Sequence, residues 1–467
     1  MAKPLKQSVI FNKELINRYN QLGPRYTSYP AATQFNEEFG IQEYCQVVKD
    51  SNEDLLPKPL SIYIHLPFCN TVCFYCACNK IITANRKRTI PYLEDLHKEI
   101  NLQGPLFDND RVVSQLHLGG GTPTYISHDQ MTDLMSVIRK NFTLLDDDSG
   151  EYSIEIDPRE VKTETIHLLR NLGFNRMSIG VQDFDPQVQN AVNRNQSYEQ
   201  TNDVFNDARK HGFHSINIDL IYGLPKQTPR TFCNTINKII EMSPDRIAVY
   251  NYAHLPHLFK TQRQIKDEDL PSPAEKLEIL GESIQSLQDA GYVYIGMDHF
   301  AKPDDELAIA QRKGNLYRNF QGYSTNANCD VIGFGITAIS KISNSYSQNI
   351  RTLEEYHKAL EKNKTPIFRG YKLSNDDELR REVITKLICH FQIEFRVIED
   401  LFKIDFADYF SEEIKLLDDM QKDELLIIKK DAIEILPAGR FLIRNICSVF
   451  DIYLDRKKEN KNFSKMI

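Results

Sequence analysis

The stretch SIYIHLPFCNTVCFYCACNKIIT, residues 61–83, holds four of the nine cysteines of this chain, Cys69, Cys73, Cys76 and Cys78. The run just before them, Ile62–Leu66, is rich in β-branched and aromatic residues and predicts a buried β-strand. The cysteines therefore lie on the loop that leaves the C-terminal end of a strand. Parallel α/β folds place their chemistry at that end.

The first three of these cysteines follow the spacing CxxxCxxC. That spacing lets three thiolates surround one face of an iron–sulfur cubane, and cysteine thiolates are the usual protein ligands of such clusters. One iron would then stay open to a substrate or a cofactor. The alternative is a structural zinc site, in which four cysteines close a tetrahedron and the protein acts only through interactions. Closed zinc sites usually divide their ligands into two separated pairs, so the spacing favours the cluster.

The chain of 467 residues is long enough for one large catalytic domain and one or two smaller ones. It has 57 basic and 65 acidic residues, a net charge of −8 and no dominant basic tract, so nucleic acid is not an expected partner. No apolar run has the length of a signal peptide or of a membrane span, so no membrane span is predicted. Nine cysteines without a secretory signal are typical of reduced thiols in the cytoplasm.

Between residue 61 and about residue 300, strand-like runs alternate with amphipathic helical runs. The strand-like runs are SIYIHL (61–66), VVSQLHLG (112–119), YSIEID (152–157), RMSIGVQ (176–182), SINIDLIYG (215–223) and RIAVYNYA (246–253). This spacing implies a parallel sheet with right-handed crossovers. Six units fall short of the eight in a closed barrel, so the predicted fold is α/β, an open three-quarter (β/α)6 TIM-like barrel. The glycine- and asparagine-rich segment 318–340 should add extra strands.

Three regions are expected along the chain. Residues 1–50 form an N-terminal arm, whose turn-rich GPRYTSYP (23–30) is either a packing strap or a lid over a site. Residues 51–370 form the partial-barrel catalytic domain. Residues 371–467 form a small, mostly helical, winged-helix-like domain, because a helical run and then a hairpin-and-helix pattern follow Ser374. Cys389 and Cys447 lie on apolar faces there and are expected to be core residues.

Polar and glycine-rich residues follow several of the predicted strands. The second strand ends in GGGTP (119–123), where glycines let the backbone approach a ligand closely. Later strand ends supply, in chain order, Glu155, Asp157, Gln182, Arg194 and Asp219. Because the C-terminal ends of parallel strands meet at one edge of a sheet, these residues predict a binding rim.

Taken together, these motifs resemble those of the oxygen-independent coproporphyrinogen III oxidase family, within the radical S-adenosylmethionine superfamily. The likeness runs from GPRYTSYP to RFLIRNIC and includes HLPFCNTVCFYCACNK, HLGGGTPTY, EIDPRE, GVQDF, NIDLIYGLPKQTP, NYAHLP, MDHFAKPDDELA and NFQGYS. The related haem chaperones typically lack both the CxC extension that ends at Cys78 and the GPRYTSYP arm. This chain has both, which favours the oxidase over the chaperone.

The resemblance implies one [4Fe–4S] cluster per chain, ligated by Cys69, Cys73 and Cys76, and two molecules of S-adenosylmethionine. The residues that match the site of the cluster-bound S-adenosylmethionine are Tyr63, Gly120, Glu155 and Ile339. Those that match the second site are Tyr75, Gly121, Thr122, Gln182, Arg194, Asp219 and Ala253. Tyr75 stands where the family usually has phenylalanine, and Ala77 where it often has glycine. We expect little consequence from either change. Cys78 is expected to act in catalysis outside the cluster.

The reaction that the resemblance implies belongs to anaerobic haem synthesis. A 5′-deoxyadenosyl radical removes hydrogen from the β-carbon of a propionate, and loss of CO2 and one electron leaves a vinyl group. Two propionates of coproporphyrinogen III react in this way, giving protoporphyrinogen IX. We expect a monomer that receives electrons from a donor such as a flavodoxin or ferredoxin. The substrate's carboxylates need cationic partners, for which the candidates are Arg25, Arg318 and Lys226.

Overall fold

The computed structural model describes residues 9–19, 21–326 and 329–454. Its α-helices are α1 (Lys13–Tyr19), α2 (Ile41–Asn52), α3 (Thr89–Gln103), α4 (His128–Asn141), α5 (Thr163–Asn171), α6 (Pro186–Ala191), α7 (Tyr198–Lys210), α8 (Pro229–Met242), α9 (Pro273–Asp289), α10 (Glu306–Lys313), α11 (Leu353–Glu361), α12 (Asn375–His390), α13 (Phe395–Phe402), α14 (Phe406–Tyr409), α15 (Ser411–Leu416), α16 (Asp418–Lys422), α17 (Pro437–Phe441) and α18 (Ile443–Cys447).

Its strands are β1 (Leu60–Leu66), β2 (Phe68–Cys69), β3 (Ile81–Ile82), β4 (Val112–Gly120), β5 (Thr143–Leu144), β6 (Glu151–Ile156), β7 (Arg176–Gln182), β8 (Ser215–Tyr222), β9 (Arg246–Asn251), β10 (Val293–Gly296), β11 (His299–Ala301), β12 (Tyr317–Asn319), β13 (Gly322–Ser324), β14 (Asp330–Phe334), β15 (Ile339–Ile342), β16 (Ser345–Asn349), β17 (Ile367–Lys372), β18 (Gln392–Glu394), β19 (Leu426–Ile428) and β20 (Ala432–Ile435).

The main sheet has the strand order β10-β11-β9-β8-β7-β6-β4-β1-β14-β15-β16-β17, with β5 beside β4. The strands from β9 to β14 in this order pair in parallel, and the six predicted strands are consecutive neighbours within them. Antiparallel strands extend both ends of the sheet. The end strands β10 and β17 do not pair with each other. The prediction of an open partial barrel with extra strands is therefore confirmed.

The central strand β1 shows why the sequence folds this way locally. Its apolar side chains Ile62, Ile64 and Leu66 are completely buried in the main hydrophobic core. The alternate residues Tyr63 and His65 lie on the opposite face of the strand, because successive side chains in a strand point to opposite sides. The strand therefore supplies both the core and the polar interior of the barrel.

The C-terminal region contains helices α12 to α18 and a three-stranded antiparallel sheet of order β18-β20-β19. The predicted hairpin is formed by β19 and β20, and α17 follows it. Cys389 and Cys447 are completely buried, as expected of core residues. The boundary predicted between residues 370 and 371 falls inside β17, a strand of the main sheet. The division into three regions remains a prediction, and parts of its first and last regions lie outside the described residues.

The N-terminal arm packs against the C-terminal region. The Tyr26 hydroxyl donates a hydrogen bond to the Asp451 carboxylate at 3.1 Å, and the Asn445 side-chain amide donates to the Tyr19 carbonyl at 2.5 Å. Tyr26 and Tyr29 are both buried. The two ends of the described chain therefore hold each other in place.

A buried ion pair ties together the N-terminal ends of the strands on either side of β1. The Arg111 guanidinium, which precedes β4, lies 2.6 Å from the carboxylate of Asp330, the first residue of β14. The same guanidinium donates to the Ser51 hydroxyl at 2.9 Å and to the Asn52 side-chain oxygen at 2.8 Å, at the end of α2. The two charged side chains are only 1% and 3% exposed, so water cannot replace either partner.

We expect the substitution Asp330→Ala to lower the free energy of unfolding by about 3–5 kcal/mol, because it leaves a buried guanidinium without its counter-charge. The matched control is Asp146→Ala, which breaks the pair with Arg139 at a site where Asp146 is 78% exposed. That change should cost at most about 1 kcal/mol. Urea unfolding of both variants measures the difference. Equal losses would contradict a structural role for the buried pair.

Candidate active site

The C-terminal ends of the parallel strands surround a cavity of about 180 Å³. Most of the residues predicted for the site lie in its wall, namely Cys69, Cys73, Tyr75, Cys76, Cys78, Gly120, Gly121, Thr122, Glu155, Gln182, Arg194 and Asp219. Ala253 lines a second, larger cavity. The other two predicted site residues, Tyr63 on β1 and Ile339 on β15, do not line either of these two cavities.

The cysteine loop is held in place by main-chain hydrogen bonds and by a lysine. The Phe74 amide donates to the Val192 carbonyl at 2.9 Å, and the Lys80 ammonium donates to the Cys76 carbonyl at 2.9 Å. The Thr122 hydroxyl lies 3.6 Å from the Cys69 sulfur. Within the described ranges, no group of three or more His, Cys, Asp or Glu side chains converges closely enough to hold a single metal ion. The cysteines instead line the wall of one cavity.

Two neighbouring thiols of this loop differ in acidity. The hydrogen bond from Cys78 and the charge of Lys80 lower the pKa of Cys76 despite its burial. The same hydrogen bond with Cys76 raises the pKa of Cys78. Cys76 is therefore the more readily ionised of the two. Since metal ligands must be thiolates, this difference suits Cys76 to ligation and leaves Cys78 as a thiol.

Two arginines converge on the Asp157 carboxylate and on the sulfur of Cys73. Arg159 and Arg194 lie 2.7 and 3.0 Å from the same oxygen of Asp157, and each lies 3.7 Å from the Cys73 sulfur. Arg194 also donates to the Gly180 carbonyl at 2.6 Å. Burial alone would raise the pKa of Asp157, but the two guanidinium groups lower it to about 2. Asp157 therefore balances one of the two positive charges, and a net positive charge remains beside the Cys73 sulfur.

Arg159 and Lys80 are site residues that the sequence analysis missed. Arg159 belongs to EIDPRE and Lys80 to HLPFCNTVCFYCACNK, both of which were recognised as motifs. Arg159 follows Asp157 by two residues, and this spacing could have predicted their ion pair. No sequence pattern could have predicted that Arg159 approaches Cys73, which lies 86 residues earlier in the chain.

Glu155 occupies the interior side of the glycine-rich strand end. One of its carboxylate oxygens accepts a hydrogen bond from the Gly120 amide at 3.1 Å, and the other lies 3.5 Å from Nε2 of His117. Burial alone would raise the pKa of Glu155, but the hydrogen bond and charge of His117 lower it. Tyr63 stacks on the His117 ring, with centroids 5.9 Å apart. Tyr63 is thus in contact with this group, although it is outside the cavity wall.

Gln182 and Asp219 complete the wall on the side of β7 and β8. Gln182 has a φ of 69°, a backbone conformation that turns the chain sharply at the end of β7. The Asp219 carboxylate accepts hydrogen bonds from Ser178 at 2.7 Å and from Asn217 at 2.9 Å. Burial nevertheless raises its pKa to about 6. Asp219 therefore binds a proton more readily than an ordinary aspartate does.

The second cavity has a volume of about 480 Å³ and a mainly apolar wall. Tyr75, Cys76 and Cys78 line both cavities, so the two adjoin at the cysteine loop. Gly23 and Arg25 of the N-terminal arm also line the larger one.

The structure separates the three cations considered for the substrate's carboxylates. Only Arg25 lies in the wall of the larger cavity. Lys226 is half-exposed and paired with Asp269 at 2.5 Å. Arg318 lines a different, much smaller cavity beneath the N-terminal arm.

Comparisons with known proteins agree with this geometry. The family model of the radical SAM superfamily matches residues 63–239, and that of the HemN C-terminal domain matches residues 373–442. The fold and these matches place the chain among the radical S-adenosylmethionine enzymes.

Full-length relatives narrow this class. Oxygen-independent coproporphyrinogen III oxidase from Pseudomonas aeruginosa is 50% identical over 98% of this chain and 99% of its own length. The Escherichia coli K12 enzyme of the same name is 49% identical over 99% of both. The solved structure of coproporphyrinogen III oxidase (HemN) from E. coli, described as a radical SAM enzyme, superposes with a TM-score of 0.91 and 48% identity, covering 96% of this chain and 100% of that one. The chain belongs to the oxygen-independent coproporphyrinogen III oxidase family.

No helix among residues 9–19, 21–326 and 329–454 combines the length and the apolar character needed to cross a bilayer.

Gly121 ends the glycine run that closes β4, where that run meets the start of the cysteine loop. A Cβ at this position would lie 2.7 Å from the carbonyl carbon of Pro67 and the carbonyl oxygen of Phe68, both of which are backbone atoms. We expect Gly121→Ala to lower the free energy of unfolding by about 1–3 kcal/mol, because the backbone cannot yield without distortion. Gly40→Ala is the control, since its new Cβ would meet only the Glu43 carboxylate at 3.6 Å. If urea unfolding gave the two variants the same midpoint, the close approach of the Pro67 and Phe68 backbone would not be the reason for a glycine at position 121.

Proposed function

We propose that this protein decarboxylates two propionate side chains of coproporphyrinogen III oxidatively to vinyl groups, without oxygen, and so yields protoporphyrinogen IX. The observation that carries the proposal is the junction of the two cavities. Tyr75, Cys76 and Cys78 line both the cavity that holds the cysteines and the larger, more apolar cavity beside it. A bulky, largely apolar substrate in the larger cavity would therefore lie next to the chemistry of the smaller one.

The residues of the smaller cavity fit a [4Fe–4S] cluster with S-adenosylmethionine. Cys69, Cys73 and Cys76 supply three sulfur donors in one wall. The hydrogen bond from Cys78 and the charge of Lys80 lower the pKa of Cys76, and two guanidinium groups lie 3.7 Å from the Cys73 sulfur. When bound there, cluster and S-adenosylmethionine together supply hydrogen-atom abstraction from an unactivated carbon.

In this proposal the other residues bind and orient. Glu155, with Tyr63, Gly120 and Ile339, contacts the S-adenosylmethionine at the cluster. Its carboxylate is held by the Gly120 amide and can accept a further hydrogen bond from an ammonium or hydroxyl group. Arg194 holds Asp157 and the sulfur of Cys73 in position.

A second S-adenosylmethionine is also part of the proposal. Its residues are Tyr75, Gly121, Thr122, Gln182, Arg194, Asp219 and Ala253. Their support is that all of them except Ala253 line the cysteine cavity, and Ala253 lines the adjoining one. The apolar ring of Tyr75 can stack on an adenine base.

Arg25 is proposed to face a propionate of the substrate, since it is the candidate cation that lines the larger cavity. A monomer that receives electrons from a flavodoxin or ferredoxin completes the proposal. The nine cysteines of the described chain are all unpaired, which supports the reducing cytoplasm as its location.

Two observations favour the oxidase over a haem chaperone. Cys78, the end of the CxC extension, lines both cavities, and the arm residues Gly23 and Arg25 line the larger one. Both features that set the oxidase sequence apart thus reach the proposed substrate site.

The test is anaerobic turnover of coproporphyrinogen III by reconstituted protein, with S-adenosylmethionine and a reductant. We expect about four irons and four sulfides per chain, no zinc, and protoporphyrinogen IX as product. Cys69→Ser, Cys73→Ser and Cys76→Ser should each remove the cluster absorption and the activity. Cys233→Ser is the matched control, since Cys233 lies on α8 outside the walls of both cavities. A full complement of iron without turnover would argue against the oxidase, and haem binding in its place would favour the chaperone.

Cys78→Ser tests the thiol that is not needed as a ligand. We expect the variant to retain its iron, because a fourth protein thiolate would leave no iron open to S-adenosylmethionine. We expect it to lose most of the decarboxylation, because Cys78 lies in the walls of both cavities. Iron content and protoporphyrinogen formed under anaerobic conditions are measured in parallel, with Cys233→Ser as reference. Loss of iron would make Cys78 a cluster ligand. Full iron with full turnover would reduce it to a packing residue.

A further inference from the structure

A second group of cations lies away from the cysteine loop, in a small cavity of about 20 Å³ beneath the N-terminal arm. One wall is the arm itself, residues 26–29. The others come from the β12 segment, from β15 and β16, and from helix α12 of the C-terminal region. The cavity is therefore bordered by three parts of the chain that are distant in sequence.

Three cations line this cavity, Arg318, Lys341 and Arg381, and no carboxylate of the described chain does. The Lys341 ammonium donates to the Tyr317 hydroxyl at 2.6 Å. The only ion pair that the described residues give to Arg381 is a long one, 4.0 Å to Glu378. Arg318 has no ion pair among them and instead lies over the Tyr323 ring at 4.7 Å.

Several N–H groups of these cations are buried without an acceptor. They are Nε and Nη1 of Arg318 and Nη1 of Arg381. A buried donor without a partner is costly, and the cost is larger when the donor carries a charge. All the unsatisfied groups are donors, so the missing partner must be an acceptor. Because the wall is cationic, a negatively charged acceptor is favoured over a neutral one.

The size of the cavity limits what that acceptor can be. A volume of about 10–15 Å³ in this measure is needed for one water molecule, so 20 Å³ holds one water-sized or slightly larger species. A halide ion satisfies this limit, whereas a phosphate or a porphyrin propionate is too large.

We propose that this cavity binds one small monovalent anion of the halide class, such as chloride. The anion ties the N-terminal arm to the barrel and to the C-terminal region, because cations from β12, β15 and α12 meet beneath the arm. The Tyr346 hydroxyl, which donates to the Tyr29 carbonyl at 3.3 Å, reinforces the same junction.

The arm also connects this cavity to the larger one. Arg25 lines the 480 Å³ cavity, and the next residue, Tyr26, lines the anion cavity. An anion beneath the arm therefore helps to hold Arg25 at the edge of the larger cavity. The anion site itself does not depend on the reaction proposed for that cavity.

Two measurements on the full-length reconstituted protein test the site. Crystals grown in bromide should show an anomalous peak within hydrogen-bonding distance of Arg318 or Arg381. Limited proteolysis of the arm should slow as chloride replaces gluconate at constant ionic strength. At ten times the dissociation constant, a bound anion suppresses opening of the site about elevenfold, so cleavage should slow by a similar factor.

Arg381→Gln should make arm cleavage insensitive to chloride. Arg396→Gln is the matched control, since Arg396 is also in the C-terminal region but is 89% exposed, and it should behave as the unmodified protein. If Arg381→Gln does not fold, Arg318→Gln takes its place, and the bromide experiment needs no variant.

Three outcomes would overturn the proposal. The cavity could hold only a water, with no anomalous peak. Bromide could bind only elsewhere, as an adventitious ion. Chloride could protect the arm equally in Arg381→Gln or Arg318→Gln and in the unmodified protein.

Discussion

The parallel pairing of β1 with β4 on one side and with β14 on the other determines where the cysteines lie. Both neighbours run in the same direction as β1, so their C-terminal ends open onto one edge of the sheet. The chain leaves β1 at Pro67 and passes so close to Gly121 that no side chain fits there. The glycine run at the end of β4 therefore packs directly against the start of the cysteine loop that follows β1. The Arg111–Asp330 pair secures the same two neighbours at their other ends.

The charges at this edge suit a site that must hold thiolates. Cysteine thiolates repel one another, and a buried thiolate is costly unless positive charge lies near. Two guanidinium groups lie within 3.7 Å of the Cys73 sulfur, while Asp157 balances one of them. Lys80 serves Cys76 in the same way through its charge. The protein thus supplies a local excess of positive charge where negative ligands gather.

Much of the architecture could be predicted from the sequence because local patterns determine it. The runs that became β1, β4, β6, β7, β8 and β9 are β-branched and follow one another at βα spacing, so their order in the sheet followed from the handedness of crossovers. Residues at or next to their C-terminal ends, such as Glu155 and Gln182, then had to meet at one edge. Cys69 and Gly121 come just after β1 and β4, so the pairing of those two strands also brings these residues together.

Contacts between distant segments could not be predicted, because no local pattern encodes them. Arg318 and Lys226 looked as suitable for a carboxylate as Arg25 did, since all three are cations in segments rich in turns. Their surroundings decide the difference: Lys226 meets Asp269, and Arg318 lies beneath the arm. The boundary drawn at residue 370 falls inside β17 for the same reason, since pairing with distant residues, mainly those of β16, makes that segment a strand.

The union of the arm with the C-terminal region has a consequence for how the protein is made. Tyr26 bonds to Asp451, and the Tyr29 hydroxyl accepts a hydrogen bond from the Ile452 amide at 3.4 Å, so these two tyrosines of the arm dock on residues that the ribosome adds 425 and 423 positions later. The cysteine loop and the strands around it have left the ribosome long before. A growing chain can therefore form the cysteine cavity first. At that stage the arm, which places Arg25 in the wall of the larger cavity, still lacks the residues that it packs against. Translation thus completes the two cavities in a fixed order, and the larger one closes last.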